Sequence, residues 1–323
     1  MRTHRFKLVK WLVFLVFLIL MAAVMLNREW IYDHYRGMVY QPSSGMLEIR
    51  NSLGLTGQGE FLFNASQPAL EEKEEFNSIC QAKLVETAIL GCYTAGNIYV
   101  YNIVDAELKG IRELTTAHEL LHAVWARMDE DEQKALEPAL DQVLKENNAL
   151  GEELAIYDAN ERQEELYVRA GTEIKKLPET LEKHFAEIFV NQDKIVNYYD
   201  SYIQVFKELE TEMDALKNEM TGIETNLNAK INEYEARIAQ LNTEIDSFNS
   251  CAAVAGCFVS ETEFYNERAI LVAEQQNLEV LYAEINNLVD LYNAKVEQYN
   301  ADILRGENLN QKINSTAKPQ EIE

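Results

Sequence analysis

The C-terminal third of the chain can fold into little other than long helices. From about residue 191 no proline occurs until Pro319, and apolar residues return at every third or fourth position. This spacing places apolar side chains on one face of a helix. Two such apolar stripes, Phe206 to Phe248 and Phe264 to Ile303, flank a loop of small residues. The pattern predicts an antiparallel coiled-coil hairpin over residues 191–315, followed by a disordered tail at 316–323.

The register of this hairpin depends on where its tip lies. With Val254 at the tip, Ile231 faces Leu278 and Ile223 faces Ile285, so the two stripes meet along their whole length. The alternative, in which two chains form a parallel dimer, leaves the central loop unexplained. We therefore expect a hairpin that folds by itself and that binds a protein partner or holds a substrate.

The N-terminus combines a basic flank with an apolar run. Arg2, Arg5, Lys7 and Lys10 precede the uncharged segment Trp11 to Leu26, which approaches the length needed to cross a bilayer as a helix. This pattern predicts a transmembrane signal anchor within residues 1–27. The basic flank indicates a cytoplasmic N-terminus, with the rest of the chain outside the cytoplasm at the cell membrane. The alternative is a cleaved signal peptide, although no convincing cleavage site follows the apolar run.

The four cysteines fall into two local pairs. Cys80 lies near Cys92, and Cys251 and Cys257 bracket the small loop between the two stripes. Local pairs in an exported segment predict the disulfides Cys80–Cys92 and Cys251–Cys257. Free cysteines in a reducing compartment are the alternative, and the spacings do not fit a four-cysteine zinc site.

The charge balance excludes one class of partner. The chain has 29 Lys and Arg residues against 54 Asp and Glu residues, a formal net charge of −25. Because such a surface repels phosphate backbones, we expect no binding to nucleic acid.

The motif with the clearest chemical meaning is His118-Glu119-Leu120-Leu121-His122. Two histidines four residues apart lie on the same face of a helix, so both imidazoles can reach one metal ion. Glu119 lies beside the open coordination position, where its carboxylate can accept a proton from water. The motif predicts that His118 and His122 bind Zn²⁺ and that Glu119 is the general base. The alternative is a pair of solvated histidines on an amphipathic helix.

Two strand candidates precede this motif, at Leu84 to Tyr93 and Ile98 to Val104. Alternating tyrosine and aliphatic residues after position 97 suit a half-buried strand. Together with the surrounding helical stretches they predict that residues 28–190 form a domain that is mainly α with a small β-sheet. A strand so close to the motif is placed to pair with an extended peptide substrate.

A third metal ligand must come from a carboxylate, because no third histidine closely follows His122. The segment Glu165-Leu166-Tyr167-Val168-Arg169 resembles the helix that completes the zinc site in the gluzincin branch of zincin metallopeptidases. Over residues 50–190 the chain also resembles uncharacterised membrane-anchored bacterial HExxH proteins. The resemblance implies a zincin-like fold with Glu165 as the third zinc ligand. Arg169 departs from the pattern, because an acidic residue is common four positions after the ligand.

Helical phase leaves a second candidate open. Glu173 falls on the apolar face of the same helix, so it is a rival ligand or a group that orients a ligating histidine. Glu161 and Glu164 are interpreted as surface charges. His184 is either a group that stabilises an oxyanion or a packing residue, and Tyr167 is equally ambiguous.

Two functions are compatible with these features. The first is a membrane-anchored zinc endopeptidase acting on extracytoplasmic proteins or peptides. The second is a non-catalytic cell-envelope adaptor whose coiled-coil hairpin binds a partner and whose metal site is degenerate.

Overall fold

The chain is mostly helical and contains a small three-stranded sheet, as predicted. The computed structural model describes residues 11, 14–19, 21, 22, 24, 25, 27–80 and 89–315, without the side chains of residues 159 and 160. The described residues up to Val205 form one compact unit together with those from Leu309 onward. Phe206–Asn308 form a second compact unit.

The first unit begins with helices that precede the histidine motif. Four helices and the three strands of the sheet come first, with the bounds α1 (Arg28–Val39), α2 (Ser44–Leu53), α3 (Gly57–Ala65), β1 (Ala69–Glu71), α4 (Lys73–Ile79), β2 (Gly91–Thr94) and β3 (Asn97–Tyr101). The helices that follow are α5 (Ile111–Trp125), α6 (Glu130–Glu146), α7 (Asn148–Glu153), a 3₁₀ turn (Leu154–Ile156), α8 (Ala159–Glu173) and α9 (Glu179–Phe185). Two long helices complete the described chain, α10 (Gln192–Ala252) and α11 (Glu261–Ile313).

The sheet has the strand order β1-β3-β2. β1 pairs with β3 in parallel, with Ala69 opposite Tyr99, and β2 pairs with β3 in antiparallel, with Cys92 also opposite Tyr99. In the described part of the chain β2 is therefore an edge strand, and α5 packs against both β2 and β3.

The strands differ in part from the expectation. The second predicted strand is confirmed as β3. Of the first, Gly91–Thr94 form β2, and residues 84–88 at its predicted start lie outside the described residues. Pro68 precedes the short strand β1, and helix α4 starts only at Lys73. The parallel ladder with β3 explains this, because it pairs Ala69–Glu71 with Tyr99–Tyr101 before the helix begins.

The predicted transmembrane anchor is wrong. Among the residues that the structure describes, no helix is both long enough and apolar enough to span a membrane. Crossing a bilayer takes about 20 consecutive, predominantly apolar residues in one helix. The assignments that depended on the anchor are corrected with it: the membrane as a partner, the single-pass topology and the location at the cell membrane. The basic flank at residues 1–10, parts of the apolar run and the tail at 316–323 lie outside the described residues.

In the second unit α10 and α11 form a helical hairpin whose register differs from the predicted one. Lys230 forms an ion pair with Glu284, and the rings of Tyr234 and Tyr282 lie 5.8 Å apart. The prediction paired residue 231 with Leu278. The observed partners of the neighbouring residues 230 and 234 are residues 284 and 282, which lie further along α11. The reason is the loop: it occupies residues 253–260, between Ala252 and Glu261, and its centre follows Val254.

Both predicted disulfides are present. Cys80 is bonded to Cys92, which ties the end of α4 to β2, and Cys251 is bonded to Cys257 next to the hairpin loop. Around the first disulfide, Phe76, Cys80 and Ile89 form a small buried cluster with Tyr99 and Tyr101 packed against it. This cluster holds the edge strand β2 in place from the side of the sheet that faces α4.

Candidate metal centre

Helix α5 presents the histidine motif to a cleft. Its apolar side, with Ala117, Leu120 and Leu121, is fully buried in the main core. On the other side, His118 and His122 keep 27% and 14% of their side-chain surface exposed. The buried side fixes the helix, so the two imidazoles have a rigid support and still face solvent.

A close approach of α8 to α5 brings the carboxylates to the histidines. Gly171 lies at the contact: a Cβ there would come within 2.4 Å of Leu121 Cδ1 and 2.8 Å of Phe185 Cε1. Any larger residue would push α8 away from α5. The absence of a side chain at residue 171 therefore sets how near the acidic face of α8 lies to the histidines.

Three side chains converge at this point. The Nε2 atoms of His118 and His122 are 3.3 Å apart, and His122 Nε2 is 3.3 Å from Glu165 Oε1. His118 Nε2 lies 3.8 Å from Glu165 Oε2. In tetrahedral zinc sites with bonds of about 2.0–2.1 Å, ligand atoms lie about 3.3–3.5 Å apart. The spacing and the two-imidazole, one-carboxylate donor set therefore fit a zinc ion.

Glu173, the rival ligand, is engaged elsewhere. Both of its carboxylate oxygens accept hydrogen bonds from Arg169, at 2.9 Å each, and Arg169 also donates to Glu153. Burial raises the pKa of Glu173, while the hydrogen bonds from Arg169 oppose this rise. The structure thus brings Glu165, and not Glu173, together with the two histidines.

The structure contradicts the interpretation of Glu164 as a surface charge. Its Oε1 lies 2.7 Å from Nδ1 of His122, on the side of the ring opposite to Glu165. The periodicity of α8 could not predict this contact, because the contact depends on how α5, which carries His122, packs against α8.

The local electrostatics distinguish the two histidines. Burial lowers the pKa of His118 to about 4, and the charge of the neighbouring His122 adds to this. Burial also disfavours charge on His122, but the hydrogen bonds to Glu164 and Glu165 outweigh it and raise its pKa to about 10. Burial opposes ionisation of Glu165 too, yet the hydrogen bond to His122 and the nearby charges lower its pKa below the ordinary value. Without a metal, the carboxylates thus hold a proton on His122 that a zinc ion would displace.

Glu119 is buried at the foot of the cleft, where it meets the edge strand. A Cβ on Gly91 would lie 2.7 Å from both Cγ and Oε1 of Glu119, so the carboxylate rests directly on the backbone of β2. Thr115, one turn earlier on α5, makes an equally close approach to Gly91. The edge strand and the Glu119 carboxylate therefore occupy adjoining walls of the cleft.

The cleft extends beyond the motif and includes residues that the sequence did not indicate. Cys92 and Tyr93 of β2 line one wall, and Tyr199 and Tyr202 from the start of α10 line another. Burial together with the charge of Glu173 raises the pKa of Tyr199 to about 12, although a hydrogen bond donated by Arg169 to its hydroxyl opposes this rise. Nothing in the chain order links α10 to the motif, so only the folded structure reveals these tyrosines.

Tyr167 belongs to the core, and the half-buried His184 packs against it. Tyr167 is fully buried, its hydroxyl is hydrogen-bonded to Nε2 of His184 at 2.9 Å, and its ring lies 4.9 Å from that of Trp125. The packing interpretation of His184 is thus the one that its surroundings support.

Comparisons with known proteins add no relative to this geometry. The chain matches no protein-family model, no curated protein and no solved structure. The resemblance to gluzincins consequently stays a prediction that rests on the residues of the motif and of α8.

Proposed function

We propose that this protein is a zinc-dependent endopeptidase of the gluzincin type. The observation that carries the proposal is the convergence of His118, His122 and Glu165, with Glu119 of the same motif buried beside them. Two imidazoles and one carboxylate are the protein ligands of catalytic zinc sites that keep a fourth position open for chemistry. A zincin-like fold for residues 28–190 is part of the proposal, supported by the small sheet packed beside the HExxH helix.

The chemistry is divided between the ion and the protein. When bound, zinc would supply Lewis acidity that polarises a carbonyl and lowers the pKa of a coordinated water. In this proposal Glu119 takes a proton from the attacking water and returns it to the nitrogen of the departing amine. Its burial against Gly91 limits competing hydration of the carboxylate and keeps it in one orientation.

The edge strand supports a peptide as the substrate. Among the described residues β2 pairs with β3 along one edge only, and Gly91 and Cys92 line the cleft. An extended peptide can add to such an edge through main-chain hydrogen bonds. That arrangement would carry a peptide bond past Glu119, since Gly91 is in contact with its side chain.

The hairpin is proposed to be an antiparallel coiled coil. Within Phe206–Asn308 the side chains of Leu209, Leu241, Leu278, Leu281 and Ile285 are buried although the helices expose most of their surface. Ion pairs such as Lys295–Glu219 flank this seam, an arrangement typical of coiled coils.

The test combines metal analysis with a substitution of the general base. The full chain, reconstituted with zinc and dialysed, should retain about one zinc ion per molecule and should cleave a quenched fluorescent peptide library. Glu119→Gln should keep the zinc and lose at least about 100-fold of the cleavage rate, the usual contribution of general acid–base catalysis. Glu113→Gln is the matched control, since Glu113 lies on α5 outside the ligand set and should leave both properties unchanged. A wild-type chain without stoichiometric zinc, or cleavage that persists in Glu119→Gln, would refute the proposal.

A further inference from the structure

His122 is held between two consecutive carboxylates of α8. Its Nδ1 lies 2.7 Å from Glu164 Oε1, while its Nε2 faces Glu165 Oε1 and His118 Nε2, both at 3.3 Å. The two ring nitrogens therefore have different surroundings. Nε2 points to the place where the three candidate ligands meet, and Nδ1 points away from it.

The gluzincin resemblance places an acidic residue four positions after the third ligand, and a cation occupies that position here. Four residues after Glu165 the chain has Arg169, which is bonded to Glu173 and Glu153. A positive group there cannot accept a hydrogen bond from an imidazole N–H. If a histidine of this site is oriented by a carboxylate, the carboxylate must come from another residue.

We propose that Glu164 is this positioning residue. It accepts a hydrogen bond from Nδ1–H of His122, which fixes the tautomer whose Nε2 lone pair is directed at the metal. Carboxylates that hold the second nitrogen of a ligating histidine orient the ring and increase the basicity of the ligand. The inference rests on the proposed zinc site and assigns to that site a residue outside its ligand set.

The remaining exposure of Glu164 is consistent with this role. Its side chain is 34% exposed, so it reaches His122 from the rim of the cleft and is not part of the apolar core. Removing the carboxylate therefore leaves no cavity in the core, and the effect on the fold should be small. This separates an effect on the metal from a general loss of stability.

The experiment measures zinc affinity directly, by competition with a chromophoric chelator, on the full-length protein. Glu164→Ala should weaken zinc binding by about 10- to 100-fold, the usual effect of losing a carboxylate that orients a ligand. Glu164→Gln should weaken it less, because the amide oxygen still accepts the hydrogen bond. Glu161→Ala is the matched control: Glu161 lies one turn earlier on α8 and also lines the cleft, but zinc binding should change less than about twofold there.

A second readout reports the tautomer itself. Nitrogen-15 shifts of the His122 ring in the zinc-loaded protein should show a protonated Nδ1 in the wild type and in Glu164→Gln. In Glu164→Ala the Nδ1 proton should exchange faster with water. Thermal unfolding of the metal-free variants checks that each of them is folded.

The outcomes separate the two proposals. A wild-type chain that does not bind zinc overturns the proposed function. If the wild type binds zinc and both Glu164→Ala and Glu164→Gln bind it as tightly as the wild type, the role of Glu164 is overturned. The peptidase proposal then stays intact.

Discussion

Gly91 and Glu119 are in such close contact that no side chain fits between them. A Cβ at residue 91 would lie 2.7 Å from Cγ and from Oε1 of Glu119, well inside van der Waals contact. The backbone of the edge strand β2 thus limits, on one side, where the carboxylate of the proposed general base Glu119 can lie.

Substitution of Gly91 should disturb catalysis more than metal binding. In Gly91→Ala the new methyl group displaces the Glu119 carboxylate or moves β2, at a cost of about 1–3 kcal/mol for overpacking. We expect peptide cleavage to fall by at least about tenfold for such a displacement, while zinc affinity stays near the wild-type value. Gly57→Ala is the control, since nothing lies within 4 Å of a Cβ at that position. Cleavage at the wild-type rate in Gly91→Ala would show that the contact does not position Glu119.

The two acidic candidates on α8 should differ strongly in their effect on zinc. Glu165→Ala removes an atom that lies 3.3 Å from His122 Nε2, so zinc affinity should fall by orders of magnitude. Glu173→Ala removes only the partner of Arg169, and the loss should stay below the roughly 10-fold lower limit for orienting groups. Isothermal titration or chelator competition measures both. The opposite order would mean that Glu173 is the ligand and that Arg169 is not its partner in solution.

The two disulfides should have separable consequences. Cys80→Ser with Cys92→Ser opens a loop with a sequence separation of 12, and loop entropy predicts a loss of roughly 3 kcal/mol. Because Cys92 follows Gly91 in β2, peptide cleavage should also decline. Cys251→Ser with Cys257→Ser lies in the other compact unit and should leave cleavage unchanged. Calorimetry and the peptide assay test this pair of variants side by side, and equal effects on cleavage would argue against a role of the first disulfide in holding β2.

The register of the hairpin can be tested by cross-linking. Cysteines at positions 230 and 284 replace an observed ion pair, so a short bis-thiol reagent should join them within one chain. Cysteines at 223 and 285, which face each other if Val254 is the tip, should react poorly with the same reagent. Mass spectrometry of the digested protein identifies the linked peptides. A strong 223–285 link would restore the register expected from the sequence.

The pairing of Asp105 with Lys312 should make stability depend on pH. The hydrogen bond from Lys312 lowers the pKa of Asp105, and the backbone N–H of Glu107 adds to this. Since the pKa is depressed in the folded state, the pair stabilises the protein above the unfolded value of about 3.9, and the stabilisation is lost as the pH falls through the folded pKa. Asp105→Asn should therefore melt at a lower temperature than the wild type at pH 7, and the difference in melting temperature should shrink as the pH falls below the unfolded pKa of about 3.9. A difference that does not shrink as the pH is lowered would assign the effect to something other than the charge.

The sequence alone determined the features that depend on near neighbours in the chain. Histidines four residues apart lie on one face of any helix, so the motif defined two candidate ligands without a structure. The same holds for the long helices after residue 191, because an unbroken apolar periodicity of three and four leaves no other regular structure. Cysteine pairs separated by a short segment were matched correctly for the same reason.

The tertiary structure decided everything that depends on how elements meet. Helical phase placed Glu173 on the apolar face of α8, but the crossing of α8 with α5, made possible by Gly171, brings Glu165 and Glu164 to His122. The contact of Gly91 with Glu119 and the place of Tyr199 in the cleft likewise join residues that are far apart in the chain. Periodicity gives the direction of a side chain relative to its own helix, whereas a binding site requires the position of that helix relative to the others, and packing of the whole unit fixes that position.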